Sequence, residues 1–281
     1  MANVFTDLNR TLYADEVSMQ LESRTAGYIV ANKDIAEELQ FVGQQIRIPV
    51  MTGLAAEDTA SATYQGLSAV GALLTVDFDK TVAFKVGDRE VIQTGQNWVA
   101  KGSQEAGRVL RKAWDGHILG KVTEITTSVL DNGATDGYTP ALVLDMLDDA
   151  AEKMDELDLP DEGRYIVVNS KAKGAIRAEL SDRATVWGDT VSESGFVEMA
   201  RGLKVYLSNN TYSATPSADV FMAGVEGLGM AAVVQISPED VEILRDPDAN
   251  AFGFRVKTRA LAGAKVYDEA KMVAVRFDTW T

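Results

Sequence analysis

The longest helical pattern in the chain is DREVIQTGQNWVAKGSQEAGRVLRKAWDGHI, at residues 88–118. Asp88 is a suitable N-cap, and Glu90 lies in the first turn, where a negative charge interacts favourably with the helix dipole. One face carries apolar or small residues at steps of three, four or seven: Ile92, Val99, Ala106, Leu110, Ala113 and His117. We therefore predict a helix of about 30 residues, roughly 45 Å long, which we call the spine helix.

Two glycines, Gly95 and Gly102, lie seven residues apart on or beside this face. A glycine inside a helix costs about 1 kcal/mol relative to alanine, so two on one face indicate that another backbone passes close by. We assign that backbone to one of the C-terminal strands. The alternative is an ordinary core helix. The residues predicted to pack the spine helix are Ile92, Gly95, Val99, Gly102, Leu110 and Trp114.

The segment 45–87, immediately before the spine helix, has the pattern of two strands. Apolar residues alternate with polar ones over 46–50 and again over 74–86, and the small polar residues between them predict a loop over 51–71. An isolated two-stranded ribbon is marginally stable in water, so we expect a neighbouring copy of the protein to cover it. The expected inter-subunit residues are Ile46, Ile48, Val76, Phe78, Val82, Phe84 and Lys80, the last as a salt bridge.

The remaining segments predict an α+β fold. Residues 1–44 are polar with scattered apolar positions and predict an N-terminal arm that is either ordered by docking on another surface or not ordered at all. Residues 121–125 predict a strand edge. Helix and strand patterns alternate over 138–235, starting with Thr139 as N-cap and Pro140 at the first helical position. Residues 236–281 return to strands, with turns at 246–248 and Gly263, so the module 138–235 is inserted between the two parts of the spine-helix domain.

Composition excludes several kinds of site. The 281 residues include 42 acidic and 27 basic side chains, a formal net charge of −15, no cysteine and a single histidine. Disulfides, thiolate ligands and metal sites with two histidines are therefore excluded, and we expect no metal and no cofactor. No apolar run reaches the ~18 residues of a membrane span. A strongly acidic chain also binds phosphate backbones poorly, because such binding relies on Lys and Arg.

Sequence motifs for catalysis are lacking as well. The chain has no Gly-x-Ser-x-Gly elbow and no phosphate-binding loop, and the glycines at 224–229 are in the wrong order for a dinucleotide fingerprint. His117 lies near a helix end, which favours packing or capping. The acidic run at 145–162 has the spacing of a solvated helix face. We predict a protein that is not an enzyme, and we assign no catalytic residues.

The order of these parts resembles the major capsid proteins of tailed phages, which share the Hong Kong 97 coat fold. The ribbon at 45–87 is similar to the family's extended E-loop, and it precedes the spine helix as in that family. LPDEGRYIVVN at 159–169 resembles the family's turn into the central sheet, and GLKVYLSNN at 202–210 resembles a segment that ends in Ser-Asn. The resemblance implies an N-arm at 1–44, a peripheral domain at 88–137 and 236–281, and an axial domain at 138–235.

The resemblance also implies a function. Such a coat protein self-assembles as pentamers and hexamers into the icosahedral shell that encloses the double-stranded DNA genome of a tailed phage. Implied partners are many copies of itself, a portal protein, a decoration protein and a separate scaffolding protein, because no long N-terminal helical extension is seen. DNA is enclosed without sequence-specific binding, assembly takes place in the host cytoplasm, no membrane is involved, and the product is the virion.

Two alternatives stay open at this point. An encapsulin-like nanocompartment shell shares the same fold but encloses a cargo enzyme, and the neighbouring genes distinguish it from a phage coat. A soluble enzyme with an unrecognised site in the module 138–235 belongs to another class altogether. The size of the purified particle separates that alternative from both shells.

Overall fold

The computed structural model of the protein describes residues 25–34, 45–52, 68–87, 98–131, 138–182, 199–215, 218–236, 242–245 and 253–278. Four α-helices lie in these ranges: α1 Ala26–Val30, α2 Trp98–Gly120, α3 Pro140–Glu156 and α4 Ser170–Asp182. None of the helices in these ranges combines the length and the apolar character that a membrane span requires. A 3-10 helix at Lys121–Glu124 follows α2 directly, where a strand edge was predicted.

Thirteen strands lie in the same ranges. In chain order they are β1 Gln45–Thr52, β2 Ser68–Thr75, β3 Phe78–Gly87, β4 Val129–Asp131, β5 Arg164–Val168, β6 Met199–Ala200, β7 Leu203–Leu207, β8 Tyr212–Thr215, β9 Ala218–Val225, β10 Met230–Ile236, β11 Glu242–Arg245, β12 Gly253–Val266 and β13 Met272–Asp278. The helix predicted to begin after Thr139 is confirmed, since Pro140 opens α3 with Thr139 as its N-cap.

The strands form three sheets. β1 and β2 pair antiparallel as a two-stranded ribbon. β12 is the centre of a four-stranded sheet, in which β3 pairs with its residues 253–262, β11 with 254–257 and β10 with 261–266. β10 and β11 therefore share the edge of β12 opposite β3. The largest sheet has the strand order β4-β13-β9-β5-β7-β6, with β8 also paired to β9.

The seven-stranded sheet is covered on both faces, as the period of two along β5 shows. Tyr165 and Val167 pack in the cluster that contains Trp114 and Ile118 of α2. Ile166 packs on the opposite face, in the cluster that holds the buried residues of α3 and α4. Because successive strand residues point to opposite faces, α2 and α3 lie on opposite sides of this sheet.

The buried side of the spine helix differs from the predicted stripe. Residues 88–97, including Asp88, Ile92 and Gly95, lie outside the described residues. The buried residues of α2 are Ser103, Ala106, Gly107, Leu110, Trp114, Asp115, Ile118 and Leu119. Ala113 and His117 are only half-buried, because the buried stripe passes through Trp114 and Ile118 instead.

Gly102 has a close neighbour, but it is not the predicted C-terminal backbone. A Cβ atom on Gly102 would lie 2.4 Å from the ring of Phe84, which projects from β3. Phe84 and Val99 of α2 pack together against Val256 of β12. The space left by the glycine is therefore filled by an aromatic side chain of the segment predicted as ribbon.

The segment 74–86, in which apolar and polar residues alternate, does not form a single strand. β2 ends at Thr75 and β3 begins at Phe78, so the chain changes sheet at Val76 and Asp77. Gly263, predicted to be a turn, lies inside β12 at the point where this chain segment crosses. A Cβ atom on Gly263 would lie 2.4 Å from the carbonyl oxygen of Thr75. The glycine therefore allows two backbones to touch and does not mark a turn.

Strand pairing also corrects the predicted domain boundaries. β10, at the end of the predicted module 138–235, pairs with β12 and not with the module's own sheet. β13, in the segment 236–281, pairs with β9 and β4 in the seven-stranded sheet. Periodicity in a sequence indicates the type of element, but it does not identify the partner of a strand.

Part of the predicted N-terminal arm is packed on its own chain. Ala26 and Val30 of α1 are buried in the same cluster as α2. Asn32 forms a bridge to Ala231 of β10. For residues 25–34 the expectation of an arm without packing of its own is therefore wrong, while 1–24 and 35–44 lie outside the described residues.

Candidate functional site

The described side chains of the ribbon β1–β2 attach it to the body near its base. Ile48 and Leu74 are buried, and they pack with Ala231 and Val233 of β10. Ile46, Val76 and Tyr267 cover the edge of this cluster. Leu73 points the other way along β2, and 41% of its surface is exposed. Among the described strands β1 and β2 pair only with each other, so each leaves one edge of backbone groups open.

The inter-subunit residues predicted on β3 occupy different environments. Phe78 is only 3% exposed, and its ring lies 5.0 Å from that of Trp114, centroid to centroid. The prediction that Phe78 is covered by another copy is therefore wrong, because its own chain encloses it. Val82 and Phe84 are half-buried against the same chain. Lys80 is exposed.

A cluster of charges sits where the ribbon joins the body. Asp77 lies between β2 and β3, and its carboxylate accepts a hydrogen bond of 3.0 Å from Nζ of Lys121. The same carboxylate lies 3.0 Å from Nε2 of His117. Glu124 lies 3.1 Å from Lys265 and 3.7 Å from Lys121. These contacts fix the junction of the ribbon to the C-terminal end of α2.

Lys121 is the cation that neutralises Asp77 near neutral pH. Burial by itself would raise the pKa of Asp77, but the hydrogen bond from Lys121 and the nearby positive charges lower it below its usual value. Burial lowers the pKa of His117, and the attraction of Asp77 offsets only part of that effect. The imidazole stacks on Trp114 at an interplanar angle of 14°. His117 is therefore neutral above pH ~6.5 and acts as a packing residue.

Asp115 connects three parts of the fold. It is only 4% exposed, and its carboxylate accepts hydrogen bonds from the Gly27 amide at 3.0 Å and from Nδ2 of Asn210 at 3.1 Å. The hydroxyl of Ser208 donates a further hydrogen bond to the same carboxylate. The aspartate thus ties α1 and the loop after β7 to the spine helix. Sequence reasoning missed it, because nothing in the helical pattern marks an inward-facing acid.

Beside Asp115 lies a groove with a basic wall, which we call the basic groove. Its volume is about 450 Å3, and it is lined by Arg108, Arg111, Lys112, Asp115, Leu207, Ser208, Asn209 and Asn210. Arg108 forms a bidentate pair with Glu105 of the same helix. Within the described part of the chain, Arg111 and Lys112 have no ion-pair partner.

Among the described residues of the module 138–235, Tyr138, Asn169 and Asp219 form a partly buried polar cluster. The hydroxyl of Tyr138 donates to Asp219 at 2.5 Å, and Nδ2 of Asn169 donates to the same carboxylate at 2.8 Å. Burial and the hydrogen bond to Asp219 raise the pKa of Tyr138 far above its usual value, so the phenol stays protonated. The groups satisfy one another, as expected of a structural network. The described residues contain no group of three His, Cys, Asp or Glu side chains placed to hold a metal ion.

Comparison with known proteins places this geometry in a family. A family model described as phage capsid protein matches residues 75–275. The chain belongs to the phage capsid protein family. No curated protein has a sequence significantly similar to this capsid protein.

Solved structures show the same fold at low sequence identity. A chain from Mycobacterium phage Che8 is 20% identical with a TM-score of 0.75, and the match covers 90% of this chain and 91% of that one. A capsid chain of the cyanophage P-SCSP1u is 13% identical with a TM-score of 0.65, covering 88% and 86%. A virus-like particle from Pyrococcus furiosus is 13% identical with a TM-score of 0.58, covering 95% and 98%.

This capsid protein therefore has the Hong Kong 97-like fold that the order of its parts resembles. The family consists of structural proteins of the phage virion, which agrees with the prediction of a protein that is not an enzyme.

Removal of the Asp115 carboxylate is expected to destabilise the unassembled capsid protein. Asp115→Ala leaves the Gly27 amide, the Ser208 hydroxyl and the Asn210 amide without their buried acceptor, at a cost of about 3 kcal/mol. Urea unfolding monitored by circular dichroism measures this free energy. Asp149→Ala, at an exposed position of α3, is the control and is expected to change it by less than about 0.5 kcal/mol. Equal stabilities of the two variants would contradict this role of Asp115.

The position of His117 predicts a pH dependence of stability. Because the pKa of His117 is lower in the fold than in the unfolded chain, the unfolded chain binds the proton more readily. Asp77 and Glu124 face the imidazole and favour its protonation, whereas Lys121 opposes it. The stabilising contribution is present above pH ~6.5 and is lost as the pH falls from there through the folded-state pKa.

The matched variant is His117→Gln, which keeps a polar side chain of similar reach without a titrating group. Its unfolding free energy relative to wild type is expected to rise as the pH is lowered from about 8 to about 5. Thermal unfolding of the unassembled protein at several pH values measures the difference. A difference that is constant over this range would contradict burial of a neutral His117.

Proposed function

We propose that this protein is the major coat subunit of a tailed phage and that it assembles as pentamers and hexamers into an icosahedral shell around double-stranded DNA. The observation that carries the proposal is the ribbon β1–β2, which packs on the body at its base and pairs with no other strand among the described residues. Open edges in an unassembled protein invite pairing with other chains, and burial by sibling subunits removes that hazard. Membership of the phage capsid family supports the same conclusion.

Exposed apolar side chains support contacts with sibling copies. Eight large apolar residues remain exposed within the described part of a single chain: Ile29, Leu73, Trp98, Val109, Val129, Met199, Leu207 and Phe254. They lie on α1, on the ribbon, on the spine helix and on both larger sheets, so they do not form one compact dimer patch. In a shell, a subunit is contacted by several siblings, and these would cover such side chains from several directions.

The proposal extends to partners and location. The segments 1–44, 45–87 and 138–235 correspond in it to the N-arm, E-loop and axial domain, with β10 and β13 reassigned as the strand pairing requires. Assembly takes place in the host cytoplasm with a separate scaffolding protein, and the portal and decoration proteins complete the virion. The enclosed DNA is not bound in a sequence-specific way. Because the net charge is −15, the subunit is expected to adhere only weakly to the packaged DNA.

A nanocompartment shell is the second candidate, supported by the match to the virus-like particle from Pyrococcus furiosus. That match has a lower TM-score than the match to the Mycobacterium phage Che8 chain, so it does not outweigh the phage coat. The two candidates differ in contents, because a phage shell holds DNA and a nanocompartment holds a protein cargo.

The test is to express the full chain alone and together with the protein encoded upstream, and then to examine both by sedimentation velocity and negative-stain microscopy. Hollow closed particles, or pentamers and hexamers, are expected in at least one of the two preparations. A preparation that contains only monomers or small closed oligomers in both cases would overturn the proposal. Nuclease and protease treatment of particles from the native source identifies DNA or protein as the contents.

A further inference from the structure

Among the described residues, two groups of charged side chains have no ion-pair partner, and they lie on opposite sides of the seven-stranded sheet. On the side of α2, Arg111 and Lys112 form part of the basic groove. On the side of α3, Asp145, Asp149 and Glu152 are exposed and form a stripe with helical spacing of four and three. We call these three residues the acidic stripe.

Neighbouring charges on both helices are already paired, which isolates these groups. On α3, Asp148 pairs with Arg201 at 3.1 Å, and Glu156 pairs with Lys153 at 2.6 Å. Asp155 pairs with Arg164 at 2.7 Å. Within the described residues, no cation lies within ion-pair distance of Asp145, Asp149 or Glu152. The acidic stripe is therefore what remains after the acids of α3 have found partners in their own chain.

The two groups cannot meet within one chain, because the seven-stranded sheet separates them. The clusters on its two faces contain α2 on one side and α3 on the other. A contact between the basic groove and the acidic stripe therefore needs two copies. Such a contact joins different surfaces of the two copies and is therefore heterologous. Heterologous contacts generate a closed ring when the rotation that relates one copy to the next returns to the first copy.

We propose that the basic groove on α2 of one copy binds the acidic stripe on α3 of the next copy around a ring. The inference rests on the proposed function, since it assigns a specific contact to the assembly of that shell. Arg111 and Lys112 are consecutive residues with long side chains, so each can reach a different acid of the stripe, in which successive acids lie about one helical turn apart. The Asn209 and Asn210 side chains line the same groove and add amide groups to its wall.

The apolar part of the groove favours a protein partner over the DNA backbone. Leu207, which lines the groove, is 47% exposed, and Val109 on the outer face of α2 is 42% exposed. The charged phosphates of a DNA backbone offer little apolar surface to cover these side chains, whereas the aliphatic parts of the side chains on a helix can cover them. The overall surplus of acids also opposes tight binding of DNA to this subunit.

Charge reversal tests the contact directly in the full-length chain. Arg111→Glu combined with Lys112→Glu places acids opposite acids, and Asp149→Lys combined with Glu152→Lys places cations opposite cations. Each double variant is expected to raise the protein concentration for half-assembly at least about tenfold at roughly 0.15 M salt. The quadruple variant restores the charge pairing and is expected to assemble within about threefold of the wild-type concentration.

A matched control reverses two cations on the other side of the sheet. Lys171 and Arg177 are exposed on α4, so Lys171→Glu with Arg177→Glu changes the net charge by the same amount as the groove variant. This control is expected to assemble like wild type. All variants change exposed or half-buried charges, and their thermal midpoints are expected to stay within about 2 °C of wild type.

Cross-linking tests the same contact in any small oligomer. The chain has no cysteine, so copies carrying Arg111→Cys and copies carrying Asp149→Cys contain one thiol each. An equimolar mixture treated with a short bis-maleimide is expected to give at least about fivefold more cross-linked dimer than a mixture of Lys171→Cys and Asp149→Cys copies. Equal yields in the two mixtures overturn the proposal, even where no shell forms.

Other outcomes are equally decisive. The contact does not exist if both double variants assemble like wild type, or if the quadruple variant is folded and stays unassembled. If the groove variant assembles normally and its particles retain less DNA, the groove binds phosphate and the proposal is wrong. A different result would refute the proposed function itself, namely that the wild-type chain forms no particle with or without its scaffold.

Discussion

Gly263→Ala is expected to prevent the chain from folding stably, although it adds only one methyl group. That methyl carbon would lie 2.4 Å from the carbonyl oxygen of Thr75 and 3.1 Å from the Cα of Val76. Both are backbone atoms, so no side-chain rotation relieves the overlap. Separating the two backbones would disrupt β12 or the junction between β2 and β3. We expect a loss of at least about 4 kcal/mol, a large part of the stability of a typical domain.

The matched substitution is Gly174→Ala in α4. A Cβ atom there meets nothing within 4 Å, and the residue has helical surroundings. Alanine in a helix interior is favoured over glycine, so this variant is expected to gain up to about 1 kcal/mol. Urea unfolding of the soluble fraction compares the two variants. Equal effects of the two alanines would show that the chain does not cross β12 at Gly263.

A second pair of substitutions separates folding from assembly. Phe78→Asp is expected to leave little soluble monomer, because it places a carboxylate beside Trp114 in the core. The loss of a buried ring and the burial of a charge together cost more than about 4 kcal/mol. Leu73→Asp changes an exposed position of the ribbon, so its monomer is expected to stay folded.

For Leu73→Asp we expect the defect to appear when shell formation is measured. Folded Leu73→Asp monomer is expected to form at least about tenfold less closed particle than wild type at equal concentration, because it puts a charge on a face that sibling copies cover. Sedimentation velocity measures both the monomer and the particle. A Leu73→Asp chain that closes into shells as readily as wild type would remove the ribbon from the assembly contacts.

The type and order of the elements could be predicted from the sequence, because local periodicity determines them. The Thr139-Pro140 start of α3 and the alternation at Ile46 and Ile48 both correspond to the structure. The break at Val76 and Asp77 could not be predicted, since the apolar alternation continues across it. Its cause is the crossing at Gly263, almost 190 residues later in the chain, and a local pattern carries no information about such a contact.

The contacts around the candidate site were harder to predict for a similar reason. Asp115 accepts hydrogen bonds from residues 88, 93 and 95 positions away, so its role depends on the tertiary fold. Phe78 has the apolar character expected of an intermolecular contact, but Trp114 and His117 of its own chain surround it. An apolar alternation shows that one face is covered, and it does not show whether the same chain supplies the cover.

Hydrogen–deuterium exchange tests most directly whether sibling copies cover the ribbon. The amides of β1 and β2 that face the open edges have no strand partner within the described chain, whereas those of β5 lie inside the seven-stranded sheet. Exchange of the β1 and β2 peptides is expected to be at least about tenfold slower in closed particles than in the unassembled subunit, with β5 unchanged. Equal exchange of the ribbon in both states would contradict a subunit that is completed by its siblings.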